Sequence, residues 1–152
     1  MLTVRRGAPA DLELIVRHNQ AVAFESEGLA LDLDTLRRGA SPALHGEVDA
    51  FYLLAEQDGL VLGQLMITTE WSDWRASVVW WIQSVYVVPS ARRWGVYRRL
   101  HEAARDEAVA AGAAGLRLYV DRHNQAAMAV YRAVGMDGDH YRVFEQMFEG
   151  RR

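Results

Sequence analysis

The stretch that decides the fold is Val85-Tyr86-Val87-Val88-Pro89-Ser90-Ala91-Arg92-Arg93-Trp94-Gly95-Val96-Tyr97-Arg98-Arg99-Leu100. An apolar run stops at Pro89 and a helical pattern starts near Gly95, so the stretch predicts a buried strand that leads into a helix. The first N–H groups of a helix lack partners within the helix, and the helix dipole makes that end partly positive. With Arg92, Arg93 and a glycine that lets an anion approach, the loop predicts a phosphate or diphosphate site. An ordinary turn with solvated arginines is the alternative.

The segments on either side of this stretch alternate between strand and helix patterns. Asp58-Gly59 has the composition of a type I′ hairpin turn, and the run 78–88 is apolar on both faces, as in a central strand. We expect loops at 39–46 and 70–75. The element order predicts a mixed sheet with helices on both faces in one domain over residues 1–152. Strands are predicted near 2–6, 51–56, 60–69, 78–88, 116–120 and 141–148, and helices near 9–24, 32–38, 95–111 and 127–134.

Composition narrows the class of protein. The 152 residues carry a net charge of -3 and no cysteine, and all 17 basic residues are arginine. Thiolate chemistry and cysteine metal sites are therefore excluded, and the charge gives no reason to expect a nucleic-acid partner. The five histidines lack paired ligand spacing, so no metal is expected. Without a long apolar run or a leader pattern, we expect a cytoplasmic protein that does not enter a membrane.

A second motif follows the first by roughly 30 residues. Taken alone, Asn124 is a helix cap and Tyr131 is a core residue on an apolar helix face. Taken in this order, the two motifs resemble the GNAT superfamily of N-acetyltransferases. The family signature (Arg/Gln)-x-x-Gly-x-(Gly/Ala) is matched by 92–97, except that Tyr97 replaces the last small residue. The second family motif is matched by Asn124, Ala127, Tyr131, Gly135 and Met136.

This resemblance implies a GNAT fold, an α/β (α+β) architecture with a mixed, largely antiparallel central sheet and helices on both faces. It also implies acetyl-CoA as the acyl donor and an amine as the acceptor. Asn124 would contact the pantetheine arm, and the Tyr131 hydroxyl would protonate the leaving thiolate. Main-chain N–H groups at Val85, Tyr86 and Val87 would stabilise the oxyanion. The residues expected to hold the CoA diphosphate are Arg92, Arg93, Trp94, Gly95, Val96, Tyr97 and Arg98.

The base and the acceptor pocket are less well defined. Many family members carry a glutamate in the central strand, where this chain has Gln83, and an amide cannot take a proton at neutral pH. Glu70 ranks first as a replacement base, with water as the alternative. Glu25 ends the first helix, which borders the acceptor site in the family. Trp71 and Trp74 lie beside Glu70, and aromatic faces near carboxylates suit a cationic amine.

Several functional readings remain open. The first is N-acetyl transfer to a small cationic metabolite, and the second is a catalytically idle acyl-CoA-binding sensor or structural module, which Gln83 and Tyr97 keep open. A transferase acting on protein amines and a nucleotide-phosphate binder unrelated to CoA are the others. The tryptophans near Glu70, which include Trp80 and Trp81, could instead pack the sheet or a homodimer contact.

Overall fold

The structure is a computed structural model that describes residues 1–150. The chain forms two compact units, Met1–Leu118 and Tyr119–Arg152. Among the described residues, the second unit contains one helix, α4 (Gln125–Ala133). The single-domain expectation for residues 1–152 stays a prediction. The first unit contains β1 (Thr3–Arg6), α1 (Leu12–Glu27), α2 (Leu33–Leu44), β2 (Ala50–Gln57), β3 (Leu60–Ser72), β4 (Ser77–Val87), α3 (Val96–Ala110) and β5 (Gly115–Arg117).

The five strands form one sheet in the order β1-β2-β3-β4-β5. The first four strands pair antiparallel, and β5 pairs parallel to β4 after the crossover through α3. Asp58 and Gly59 both have positive φ, 51° and 77°, as a type I′ turn between β2 and β3 requires. The predicted mixed, largely antiparallel sheet is therefore confirmed.

Helices cover both faces of this sheet. Ile15 of α1 and Leu44 of α2 pack with Tyr52 and Leu54 in a buried cluster on one face. The other face receives α3, whose Leu100 is fully buried. A Cβ placed on Gly63 would meet Val96 and Leu100 of α3, whereas the neighbouring Gln64 bonds to α1. Adjacent strand residues point to opposite faces, so the helices of the first unit lie on two sides of the sheet.

Gly63 sets how closely the start of α3 approaches the sheet. An added Cβ would lie 2.8 Å from Val96 Cγ1 and 3.1 Å from the Tyr86 carbonyl oxygen. We expect Gly63→Ala to lower the free energy of unfolding by about 1–3 kcal/mol, as overpacking does. Gly115→Ala is the matched strand control, because no atom lies within 4 Å of its added Cβ. Urea unfolding measures both, and equal stability of the two variants would contradict the close approach.

The predicted loop at 39–46 is wrong for its first six residues, because α2 continues to Leu44. Asp32 caps the helix, accepting a hydrogen bond from the Thr35 N–H at 2.8 Å. The helix continues through Pro42 because Ala40, Ala43 and Leu44, spaced i, i+3 and i+4, are buried against the core. Burial of this stripe outweighs the loop-forming composition of Gly39, Ser41 and Pro42.

Two strand predictions also need correction at their ends. The connection predicted at 70–75 starts later, because Glu70, Trp71 and Ser72 remain in β3 and pair with Val79, Val78 and Ser77. The strand predicted at 116–120 is shorter and ends at Arg117. In both places the strand ends where its pairing with the neighbouring strand ends. The apolar pattern of the sequence does not reveal that position.

The strand predicted at 141–148 is wrong. Within residues 1–150 this segment has no strand pairing, and the Phe144 side chain is 94% exposed. Its alternating pattern fits a strand, but a strand needs a ladder partner, and the described part of the second unit contains no other strand. No helix among the described residues is both long and apolar enough to cross a bilayer.

Candidate active site

A bulge interrupts β4 where the strand approaches its C-terminal end. Gln64 pairs with Tyr86 and Met66 pairs with Gln83, so one β3 residue faces two β4 residues. Ser84, one of the two, has φ of 52°, which costs a non-glycine residue roughly 1–3 kcal/mol. Pairing with β5 covers only Val79–Trp81. Residues 82–87 therefore lie beyond the β5 ladder, next to the irregular step.

The predicted anion turn follows directly. Residues 92–95 form a turn in which Arg93 and Gly95 have positive φ, 68° and 79°. The first α3 hydrogen bond runs from the Arg99 N–H to the Gly95 carbonyl at 3.0 Å, so the amides before Arg99 lie outside the helical ladder. A Cβ built on Gly95 would point into open space. The Cβ position of Gly95 therefore leaves room for an anion near the positive end of α3.

Side chains of the turn divide between exposed and buried positions. Arg93, Trp94 and Arg98 are exposed, and Val96 is buried against the sheet. Tyr97, the departure from the family signature, is also buried, and its hydroxyl lies 3.2 Å from His101 Nδ1. Its bulk is therefore accommodated on the core side of α3, away from solvent.

Arg92 ties the turn to α1. Its Nε donates to the Val87 carbonyl at 3.0 Å, and its Nη2 donates to Glu25 Oε2 at 2.6 Å. The Tyr86 hydroxyl donates to the other Glu25 oxygen at 3.3 Å. The pKa of this phenol is raised, mainly by burial. The structure thus brings together Glu25, Tyr86 and Arg92, which sequence reasoning had placed in separate roles.

The candidate bases have hydrogen-bonded partners. Gln83 Nε2 donates to Thr68 Oγ1 at 2.6 Å across the strand pair. Glu70 Oε1 accepts from Arg117 at 2.7 Å, and Oε2 accepts from the Trp81 indole at 3.2 Å. Each oxygen keeps a second lone pair, so these two bonds alone do not prevent Glu70 from accepting a proton.

The tryptophans predicted to line one pocket lie in different settings. Trp80 is buried and packs edge-on against Phe51, with ring centroids 5.4 Å apart. Trp71 and Trp74 are exposed, 66% and 88%, at the far end of the β3–β4 hairpin. Trp80 is therefore a core residue, and only the other rings remain for an acceptor.

A shallow cavity of about 260 Å³ lies at the C-terminal end of α1. Its lining is mainly apolar and includes Phe24, Leu29 and the charged Arg17. Glu25 is the neighbour of Phe24 on the same helix. The expectation that the end of the first helix borders a small-molecule site stays a prediction.

The second unit positions Asn124 and Tyr131 on one helix. Asn124 Oδ1 accepts from the Ala127 N–H at 3.1 Å, so this residue caps α4. Burial raises the pKa of the Tyr131 phenol, which therefore carries its proton at neutral pH. The roles that the sequence resemblance implies for these two residues stay predictions.

Sequence reasoning missed a buried polar cluster between α1 and the bulge. Gln64 is fully buried, and its amide contacts His18, Asn19 and the Ser84 carbonyl. The signal was present, because Gln64 interrupts an apolar strand and His18 lies close to the apolar stripe of α1. Within residues 1–150, no three histidine or carboxylate side chains are placed to hold a metal ion.

Two buried histidines give a pH-dependent stability. The pKa values of His18 and His101 are lowered, mainly by burial. Each imidazole is therefore less protonated in the folded chain than in the unfolded one. The unfolded chain then binds extra protons as the pH falls below about 6.5, and stability decreases through that window. We expect the free energy of unfolding in urea to be lower at pH 5.5 than at pH 7.5.

Replacing one of these imidazoles tests the cause. His101→Gln keeps a polar partner for the Tyr97 hydroxyl but cannot titrate, so the difference in stability between the two pH values should shrink. His45→Gln, which replaces an exposed imidazole, is the control and should leave the difference unchanged. An unaltered difference in His101→Gln would assign the pH effect to other groups.

The mixed sheet, with a bulged central strand that leads through a turn into a helix, agrees with the GNAT fold expected from the sequence. The sequence matches the model of the "Acetyltransferase (GNAT) family" over residues 16–136. A possible acetyltransferase from Clostridium difficile 630 is similar in structure, with 34% identity, a TM-score of 0.88 and coverage of 97% of this chain and 98% of that one. The chain therefore belongs to the GNAT acetyltransferase family.

Two further comparisons are more limited. The uncharacterized N-acetyltransferase YhfO of Bacillus subtilis (strain 168) is 31% identical over 91 residues, which span 60% of this chain and 61% of that protein. The structure of AAC(6')-Iy in complex with the bisubstrate analog CoA-S-monomethyl-acetylneamine has a TM-score of 0.77 at 18% identity, covering 97% of this chain and 99% of that chain. At that identity the likeness concerns the fold alone.

Proposed function

We propose that this GNAT protein transfers the acetyl group of acetyl-CoA to an amine of a small cationic metabolite. One observation carries the proposal. The turn 92–95 follows the bulged strand β4 and leads into the first N–H groups of α3, which have no hydrogen-bond partner within the helix, and the Cβ position of Gly95 in this turn is open. Such an arrangement suits a diphosphate at the helix start and a thioester next to the strand.

Acyl transfer from a thioester to an amine depends mainly on the position of the two reactants and less on individual side chains. Holding donor and amine in line is the largest available contribution to the rate. A neutral amine nitrogen attacks the thioester carbon, the C–S bond breaks, and the carbonyl oxygen carries negative charge meanwhile. We assign the N–H groups of Val85–Val87 to that oxygen, and the Tyr131 phenol to the departing thiolate. The amine proton leaves to water, because Glu70 pairs with Val79, six β3 residues from the Gln64–Tyr86 pair and about 20 Å along the strand, too far to take the proton directly.

Support for a small amine comes from the cavity at the end of α1. It has room for a metabolite, and Glu25, which follows the lining residue Phe24 on α1, accepts hydrogen bonds from Tyr86 and Arg92. Trp71 and Trp74 are exposed at the turn end of the β3–β4 hairpin, so an acceptor pocket around these rings would be a site separate from this cavity. The neighbour AAC(6')-Iy binds an analogue that joins CoA to acetylneamine. We expect action in the cytoplasm.

A catalytically idle acyl-CoA-binding module is the second candidate. It is favoured by Gln83, which stands where many family members carry a glutamate and which donates to Thr68. Such a module would bind CoA at the turn but would not turn it over.

Thermal stability and thiol release together test the proposal. Millimolar CoA and acetyl-CoA should raise the unfolding midpoint by several degrees and ATP should not, because a ligand at 100 times its dissociation constant adds about 2.7 kcal/mol. Thiol release should then require one member of a panel of polyamines, amino sugars and amino acid amides. A shift without release would favour the idle module, and no shift with CoA would overturn the assignment of the turn.

A further inference from the structure

Gln64 lies at the point where the bulge of β4 meets helix α1. It is 0% exposed, it belongs to β3, and it pairs with Tyr86 immediately beside the irregular step. Its amide has three partners from two other elements: Nε2 donates to the Ser84 carbonyl at 3.1 Å and to Asn19 Oδ1 at 2.9 Å, and Oε1 lies 3.1 Å from His18 Nδ1.

The chemistry of these partners determines the orientation of the amide. The Ser84 carbonyl can only accept, so it must face the Gln64 NH₂ group. The amide oxygen then faces His18, and because that oxygen can only accept, the His18 Nδ1 must carry a hydrogen and donate it. Every group in the cluster thus has one consistent role, and rotating the Gln64 amide would set two oxygens against each other.

This arrangement acts on the most strained residue of the strand. Ser84 has positive φ, which an L-residue adopts only when its surroundings hold it there. The hydrogen bond from Gln64 reaches the Ser84 carbonyl, which is part of the peptide group that continues into Val85. Fixing that peptide fixes the direction of the next N–H groups along β4.

We infer that Gln64 is a positioning residue for acyl transfer, which holds the bulge so that β4 N–H groups meet the thioester oxygen. This inference rests on the proposed function. Gln64 does not itself contact the acyl donor; it acts through Ser84. His18 and Asn19 orient the Gln64 amide so that its NH₂ group faces the Ser84 carbonyl. The turn 92–95 lies outside this cluster, so Gln64 should affect the transfer step more than the grip on the diphosphate.

Gln64→Met tests the inference, because methionine fills the space but cannot hydrogen-bond to Ser84. We expect kcat to fall about 10- to 100-fold, with KM for acetyl-CoA changed by less than about threefold. Hydrogen exchange without ligand should become faster at residues 84–86 and stay unchanged in the first turn of α3. Ile67→Val, at another fully buried β3 position, controls for lost stability and should keep kcat.

Rescue separates positioning from general damage. Glycine adopts positive φ without penalty, so Ser84→Gly in the Gln64→Met background should hold the bulge without the clamp and recover most of kcat. If Gln64→Met keeps full kcat in an active protein, or if Ser84→Gly does not recover it, the inference is overturned and the proposed function stands. If the unaltered protein neither binds CoA nor releases thiol, the proposed function fails, and the inference with it.

Discussion

Gly95→Val is expected to raise the dissociation constant for CoA by about tenfold or more. The valine Cβ and its two methyl groups would occupy the open space in front of the turn, where the diphosphate must approach the α3 amides. Losing even one charge-assisted hydrogen bond to that anion is worth about 1.5–3 kcal/mol, and about 1.4 kcal/mol corresponds to a factor of ten. Calorimetric titration with CoA, which needs no acceptor amine, measures the change directly.

The matched control removes the contribution of backbone strain. Gly46 follows α2, has φ of 68°, and likewise has no atom within 4 Å of an added Cβ. Gly46→Val therefore carries a similar penalty for a left-handed L-residue, about 1–2 kcal/mol, far from the proposed site in sequence. Both variants should lose comparable stability, and only Gly95→Val should lose CoA affinity. Equal affinities would place the diphosphate elsewhere.

The strand–turn–helix unit could be predicted because its signals are local. Pro89 stops the strand, Gly95 permits positive φ at the helix start, and the apolar pattern on either side identifies the elements. The same holds for the Asp58-Gly59 hairpin and for the Asp32 and Asn124 caps, each of which bonds to an amide three residues away. Within such short spans, residue type and spacing carry most of the information.

Features that depend on distant contacts could not be predicted in this way. The Gln64 cluster joins residues 45 and 20 positions apart, and no local pattern says that His18 and Ser84 meet the same amide. The continuation of α2 through Pro42 depends on a core formed with β2. At 141–148 the local signal is present but the distant contact is absent: the alternating pattern fits a strand, and no strand among the described residues of the second unit pairs with it.

The substitution at Tyr97 shows how packing changes the meaning of a motif. From the sequence alone, a bulky residue at the last position of the signature would be expected to distort the turn that is predicted to bind the diphosphate. In the structure the ring is buried beside His101, with centroids 5.7 Å apart. The backbone of the turn therefore keeps its form, and the departure from the family pattern alters the core side of α3.

Tyr131→Phe is expected to lower kcat by about 100-fold while changing KM for acetyl-CoA little. A positioned proton donor contributes about 10²–10⁴-fold, and phenylalanine removes the hydroxyl while keeping the ring. Because burial raises the pKa of the Tyr131 phenol, the donor form persists throughout the neutral range. In the unaltered protein kcat should therefore not fall through the neutral range, and should fall only above the ordinary phenol pKa of about 10, as this phenol ionises.

The pH profile distinguishes proton donation from a packing role. In Tyr131→Phe the fall in kcat at high pH should disappear together with the lost rate, because no phenol remains to ionise at that position. Tyr141→Phe, which removes an exposed hydroxyl from the same unit, should leave both kcat and its pH dependence unchanged. Full activity in Tyr131→Phe would mean that water or another side chain protonates the thiolate, and the assignment of the acid would have to be withdrawn although the CoA site could stand.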